Sequence, residues 1–92
     1  MSELKSTIRS LVQRFSAYEI QCALADEYYR MVRQYEPDYK YIPKEKRKKG
    51  QEYIEPETAE GRFFMKIFLA SRNLCSGIQK WFDEYQEEIY EE

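Results

Sequence analysis

Residues 44–49 of this chain read Lys-Glu-Lys-Arg-Lys-Lys, five cations in six positions. A run of that density neutralises several phosphates, giving a salt-sensitive affinity that is largely indifferent to sequence. Tyr39, Tyr41 and Tyr53 lie to either side, and their rings are of the kind that stacks on unpaired bases. Lys44, Lys46, Arg47, Lys48 and Lys49 are therefore the candidate residues for contact with nucleic acid or a phosphorylated small ligand. The competing reading is a solvated loop tip, kept charged for solubility. The acidic remainder of the chain counts against a dedicated duplex binder, whose domain is usually basic overall.

A second surface is aromatic. Nine tyrosines in 92 residues is a heavy load, and Tyr28, Tyr29, Tyr35, Tyr39 and Tyr41 fall close together, with Tyr53 further on. Tyrosine offers rigid contact area with a polar tip, and protein interfaces favour it together with arginine. Tyr28, Arg30, Arg33, Tyr35, Tyr39 and Tyr41 are the candidate protein-binding residues. Against this stands the reading in which Tyr29 sits on a helical seam and the others fold back over a small core. The third surface is the acidic end: Asp83, Glu84, Glu87, Glu88, Glu91 and Glu92, with no cation after Lys80. It suits docking to a basic partner, mimicry of a phosphate backbone or, most weakly, a divalent ion, since helical carboxylates without an ordered loop rarely make a cage; a solubilising tail is the plainer reading.

Catalysis is where composition excludes most. The chain has no histidine, which removes Ser-His-Asp and Cys-His nucleophile systems and His-based metal sites. Gly50, Gly61 and Gly77 form no phosphate-cradling cluster. No enzyme activity, cofactor or metal is expected. Cys22 and Cys75 each lie in an apolar-periodic segment, which favours buried free thiols over a disulfide between two helices. The longest apolar runs are four residues, 22–25 and 67–70, so no transmembrane helix or signal-peptide core is expected. Nothing at Ser2 or at the last residues suits lipidation. A cytoplasmic location, away from membranes, follows as the expectation.

These surfaces must be held by helices. Pro37, Pro43 and Pro56 divide the chain into two proline-free flanks. In the first, Leu4, Ile8, Leu11, Phe15, Tyr18, Cys22, Ala25, Tyr29 and Val32 keep a 4-3 alternation that alone predicts one long helix. Ser16 and Glu19, however, make a capping box, and Phe15 and Ile20 a hydrophobic staple, so a break at Ser16 is favoured. The second flank carries a broad apolar stripe from Phe64 to Ile89, with Pro56 suited to a first helical position. A strand over residues 63–69 is the weaker alternative, because the stripe continues in phase beyond it.

A helix of about 34 residues would be roughly 50 Å long, whereas a globule of this chain length has a radius of gyration of only roughly 12 Å. Either Ser76 and Gly77 break the helix, or Trp81, Phe82, Tyr85 and Ile89 take cover from the first flank or from a symmetric partner. The charge is also blocked: five basic and five acidic residues in 1–36, six and four in 37–56, four and eight in 57–92.

The expectation is an all-α fold over a single domain, residues 1–92. It is a small helical hairpin or three-helix arrangement, with helices near 3–14, 17–35 and 57–90. Between residues 36 and 57 runs a long loop whose basic middle, within 37–56, is exposed; dimerisation is one way to complete the fold. Its expected function is non-catalytic binding to a protein partner, as a regulator or inhibitor, with a homodimer foreseen. The alternative is binding of nucleic acid or a phosphorylated ligand through 44–49.

Overall fold

The computed structural model describes residues 2–50 and 52–90, and these form three α-helices with no strand among them. Helix α1 (Glu3–Arg14) opens on Ser2, whose hydroxyl accepts the Lys5 backbone N–H at 3.1 Å. Glu3 and Arg14 set charges of the right sign at its two ends. Helix α2 (Ala17–Tyr35) begins one residue after Ser16. The Ser16 hydroxyl accepts from the Glu19 N–H at 3.1 Å, while the Glu19 carboxylate accepts from the Ser16 N–H at 3.4 Å. Two of the four N-terminal orphan donors are thereby satisfied, and Phe15 and Ser16 are extended. The break therefore lies where the capping box predicts it, and the unbroken helix is not formed.

Helix α3 (Ala59–Tyr90) runs 32 residues without interruption. Its length accounts for the 50 Å long axis of the molecule, and α1, leaving sideways, contributes to a second extent of 41 Å against a thickness of 14 Å. The radius of gyration is accordingly 16.7 Å, well above the value expected of a compact globule. Two local expectations are corrected. Ser76 and Gly77 do not break α3; the Trp81 indole lies back over Gly77, 3.3 Å from where a Cβ would stand. Pro56 is not the first helical residue either. Thr58 caps the helix, its hydroxyl accepting the Gly61 N–H at 2.9 Å, and Pro56 is buried in the extended approach.

α2 and α3 pack antiparallel, and their seam is the core. Val32 and Met65 are completely buried, with Ala25 and Phe68 beside them. Burying such side chains contributes about 1.5–3 kcal/mol each. Tyr29 lies on Phe68 at 5.0 Å between centroids. Cys22 and Cys75 are joined in a disulfide with their Cα atoms 6.0 Å apart, so the expectation of free thiols is overturned. The two residues take facing positions on packed helices, within the Cα separation that a disulfide spans. Closing a loop of 53 residues is worth about 4 kcal/mol in the chain-entropy picture.

The other end of the seam is held by Glu36, the residue that ends α2. Its carboxylate accepts from the backbone N–H groups of Glu57 at 2.8 Å and Thr58 at 3.3 Å, and from the Thr58 hydroxyl at 2.9 Å. It thus sits at the positive end of α3. The Glu57 N–H, the Thr58 donors and nearby Arg62 hold its pKa below the ordinary carboxylate value. Gly61 makes the approach possible: a Cβ there would overlap Glu36 Oε2 and lie 2.7 Å from Thr58 Oγ1 and 2.9 Å from Pro56 Cβ.

Two expectations follow for stability. Gly61→Ala lowers the melting temperature, with overpacking of about 1–3 kcal/mol exceeding the roughly 1 kcal/mol gain in helix propensity. Gly77→Ala raises it, because the exposed Trp81 ring can swing aside. Equal effects in thermal melts would contradict this contrast. The Glu36 carboxylate, with its folded pKa depressed, contributes fully above the ordinary carboxylate range and loses its contribution as pH falls through the lowered value. The melting-temperature gap between wild type and Glu36→Gln should therefore close between about pH 6 and pH 3; a constant gap refutes the clamp.

Candidate functional site

The segment between α2 and α3 is folded back on the helices. Pro37 turns the chain, and the Arg33 guanidinium donates to its carbonyl at 3.0 Å. Tyr41 places its ring edge-on against Phe68 at 5.6 Å, and its N–H donates to the Tyr29 hydroxyl at 3.0 Å. The Tyr39 hydroxyl donates to the Ile54 carbonyl at 2.7 Å, so the outgoing and returning strands of the loop are tied together. Burial, and then the neighbouring Tyr53, push the Tyr39 phenol pKa well above its ordinary value, and burial likewise raises Tyr53. Both phenols stay neutral over the physiological range, which suits donors and not proton carriers.

This arrangement divides the six candidate protein-binding residues. Tyr39 and Tyr41 pack against the core and organise the loop. Tyr28 also packs on the core cluster, half-buried. Tyr35 is exposed on the same side of α2 and stacks on Phe64 at 6.0 Å, which in turn meets the exposed Phe63. Arg30 and Arg33 lie on the other side, where with Tyr29 and Pro37 they line an open depression. Arg30 pairs with Glu27 at 2.9 Å, an exposed pair of small energetic weight. The six are therefore not one surface.

In the basic segment, a short 3-10 turn (Lys44–Lys46) carries the cations outward, and Lys44, Lys46, Lys48 and Lys49 are exposed. Arg47 turns inward instead. It donates to the Ile42 carbonyl at 3.0 Å and lies 5.7 Å over the Tyr53 ring. Glu45 reaches Arg72 of α3 at 3.0 Å, and the same guanidinium covers the Tyr41 ring at 5.6 Å. Tyr53 meets Tyr41 edge-on at 6.3 Å. The rings beside the lysines are thus engaged within the protein.

A third set of residues stands out through exposure. Trp81, Phe82, Tyr85 and Ile89 are all about half-exposed on one side of α3, beyond the last turn that α2 covers. The cover ends in a groove where Ser16, Ala17 and Tyr18 meet Ile78 and Phe82. Leu4, Ile8 and Leu11 on α1, with Phe15 just past its end, form a matching stripe that is in part exposed. Helix α1 meets α2 near the joint, where Leu11, Phe15, Ile20 and Leu24 line a shallow apolar groove. Among the described residues it makes no contact with α3. The sequence pattern contained both stripes and left open whether the first flank or a symmetric partner covers the far end of α3; that α3 outruns α2 leaves it exposed here. Of the acidic end, Asp83, Glu84, Glu87 and Glu88 lie on this exposed part of α3, while Glu91 and Glu92 fall outside the described residues.

Among the described residues no group of acidic or thiol side chains is placed to hold a metal ion, and no helix is long and apolar enough to cross a membrane. The expectation of a cytoplasmic location drew partly on free thiols, and that support goes with them. The fold defines the class as a small all-α protein. No family model matches the chain, and neither the curated proteins nor the solved structures searched contain a match.

The two roles of these residues separate in a stability experiment. Tyr41→Ala should cost about 3 kcal/mol, in the range for truncating a packed aromatic, whereas Arg30→Ala should stay within about 0.5 kcal/mol. Denaturant titration measures both. A Tyr41→Ala protein as stable as wild type would return that residue to the free surface.

Proposed function

We propose that this protein is a non-catalytic binding protein that associates with another protein chain through the apolar faces of α1 and of the distal half of α3. A single observation carries the reading: among the exposed large apolar side chains, Leu4, Ile8, Leu11 and Phe15 line up at helical spacing in and just past α1, and Trp81, Phe82, Tyr85 and Ile89 do so on α3. Isolated exposed hydrophobics are ordinary, but continuous stripes mark interaction surfaces. The Trp81 side is typical of the places where binding energy concentrates, since an exposed Trp and Tyr stand together on a regular helix. A protein of this kind acts by occupying a surface, in the manner of a regulator or inhibitor.

The nucleic-acid alternative keeps its lysines but not its stacking rings. Tyr39 and Tyr41 pack on the core, and Tyr53 lies under Arg47. What the loop retains is a patch of positive charge, and Glu45 sits in the middle of it.

The reading is tested by affinity capture from the source cells, comparing the wild-type chain with Trp81→Ala/Tyr85→Ala. Neither side chain belongs to the α2–α3 core, so the variant should keep its helical circular dichroism. Its captured protein should fall by at least about tenfold, the scale of losing an aromatic anchor. Undiminished capture by a folded variant would remove these faces from the function.

A further inference from the structure

The two uncovered stripes fit each other. Along the seam, Tyr29 lies on Phe68 and, seven residues back on α2 and seven forward on α3, Cys22 is joined to Cys75. One heptad further in each direction brings Phe15 to Phe82, and another brings Ile8 to Ile89. The α1 stripe is thus the antiparallel continuation of the α2 seam, in register with the part of α3 that α2 leaves bare. The lengths agree as well. The 12 residues of α1 span roughly 18 Å, about the length of α3 from Ile78 to its end.

Charge complements the apolar match. α1 carries Lys5, Arg9 and Arg14 against the single Glu3, whereas α3 after Lys80 carries Asp83, Glu84, Glu87 and Glu88 and no cation. On a helix of 3.6 residues per turn, Lys5 borders the α1 stripe on one side and Arg14 on the other, while Glu84 and Glu88 border the stripe on α3. Antiparallel seating also puts the positive N-terminus of α1 beside the negative C-terminus of α3.

Within one chain this fit is not realised, because the Ser16 box turns α1 away from its own α3. A segment that fits its own chain, but is held off by a short joint, fits a second copy equally well. That is the geometry of an exchanged arm. We infer that two copies of this chain associate by exchanging α1, each arm seated on the distal half of the other copy's α3 in the register that α2 and α3 already use. The exchange rests on the binding reading above and names the occupant of that surface. A two-fold axis then repeats the contact, so each copy has both stripes covered at once.

The test is sedimentation equilibrium of the full chain over a concentration series, with two variants. Ile8→Asp/Leu11→Asp disables the arm, and Tyr85→Asp/Ile89→Asp disables the seat. The wild type should be a dimer that dissociates on dilution, and each variant should dissociate at least about tenfold more readily. An equimolar mixture of the two restores one intact arm on one intact seat, so it should associate more tightly than either variant alone. Circular dichroism of each variant checks that α2 and α3 persist.

A wild type that is monomeric at every concentration overturns the exchange, as does a mixture no tighter than its components. So does a monomer whose scattering radius falls well below 16.7 Å, since it has laid α1 on its own α3. If a monomeric wild type still captures another protein that Trp81→Ala/Tyr85→Ala loses, the exchange is refuted and the binding reading stands.

Discussion

Everything outside the central pair of helices depends on the register at which α2 and α3 run past each other. Two fixed points set it. At one end Glu36 closes α2 and caps the approach to α3, so the residue after one helix is tied to the two residues before the next. At the other, Cys22 and Cys75 join the second turn of α2 to the middle of α3. Between them Val32 and Met65 exclude water completely. A slip of one turn would separate the cysteines and set the Glu36 carboxylate against side chains instead of N–H groups. Because α2 has 19 residues and α3 has 32, this register leaves the far part of α3 without a neighbour.

The loop shows what the same constraint requires elsewhere. A chain that must return from the end of α2 to the start of α3 needs only a few residues, and this one uses more than twenty. The excess is not idle, because two packed helices alone leave their seam open at the sides. Tyr41 packs over Phe68 and Tyr39 against the same core cluster, and the loop's backbone is tied down by Tyr29 and by the Tyr39 hydroxyl. Arg72 closes the arrangement from α3, with its guanidinium over Tyr41 and its charge on Glu45. The Glu45 pair is exposed and adds little by itself. The rings, which remove apolar surface from water, hold the loop. Of the cations near its tip, Arg47 is drawn in by the Tyr53 ring and the Ile42 carbonyl.

What was legible in the sequence is what is decided locally. The Ser16 box is written within four residues and overrides a heptad seam nine positions long. Other features were decided at a distance. Pro56 and Thr58 are both plausible helix starts, and the choice falls to Thr58 because Glu36, distant in sequence, needs the N–H groups of Glu57 and Thr58. Gly77 looks like a breaker but sits beside Trp81, whose ring uses the missing Cβ as a seat. The cysteines pair because the heptad register puts them face to face, a relation between helices that neither helix contains alone. The tyrosines divide for a similar reason: their types suggest an interface, but only the path of the loop determines which rings turn inward.

The break at Ser16 therefore sets a local preference against a global one. A Ser cap contributes about 1 kcal/mol, and the staple adds a comparable contact. Straightening the joint would instead extend the seam and cover Leu4, Ile8, Leu11 and Phe15 together with Phe82, Tyr85 and Ile89. At about 25 cal/mol per Å², covering that many half-exposed side chains is worth several kcal/mol, more than the cap. An isolated chain with its joint broken thus leaves the greater stabilisation unrealised, in a protein whose core is thin. Local and global signals in a folded protein normally agree, and where they conflict the conflict has a use. The arrangement that satisfies both keeps the cap at Ser16 and covers both stripes from outside the chain. The charge blocks point the same way, since basic α1 makes no contact with the acidic end of α3 among the described residues of one chain.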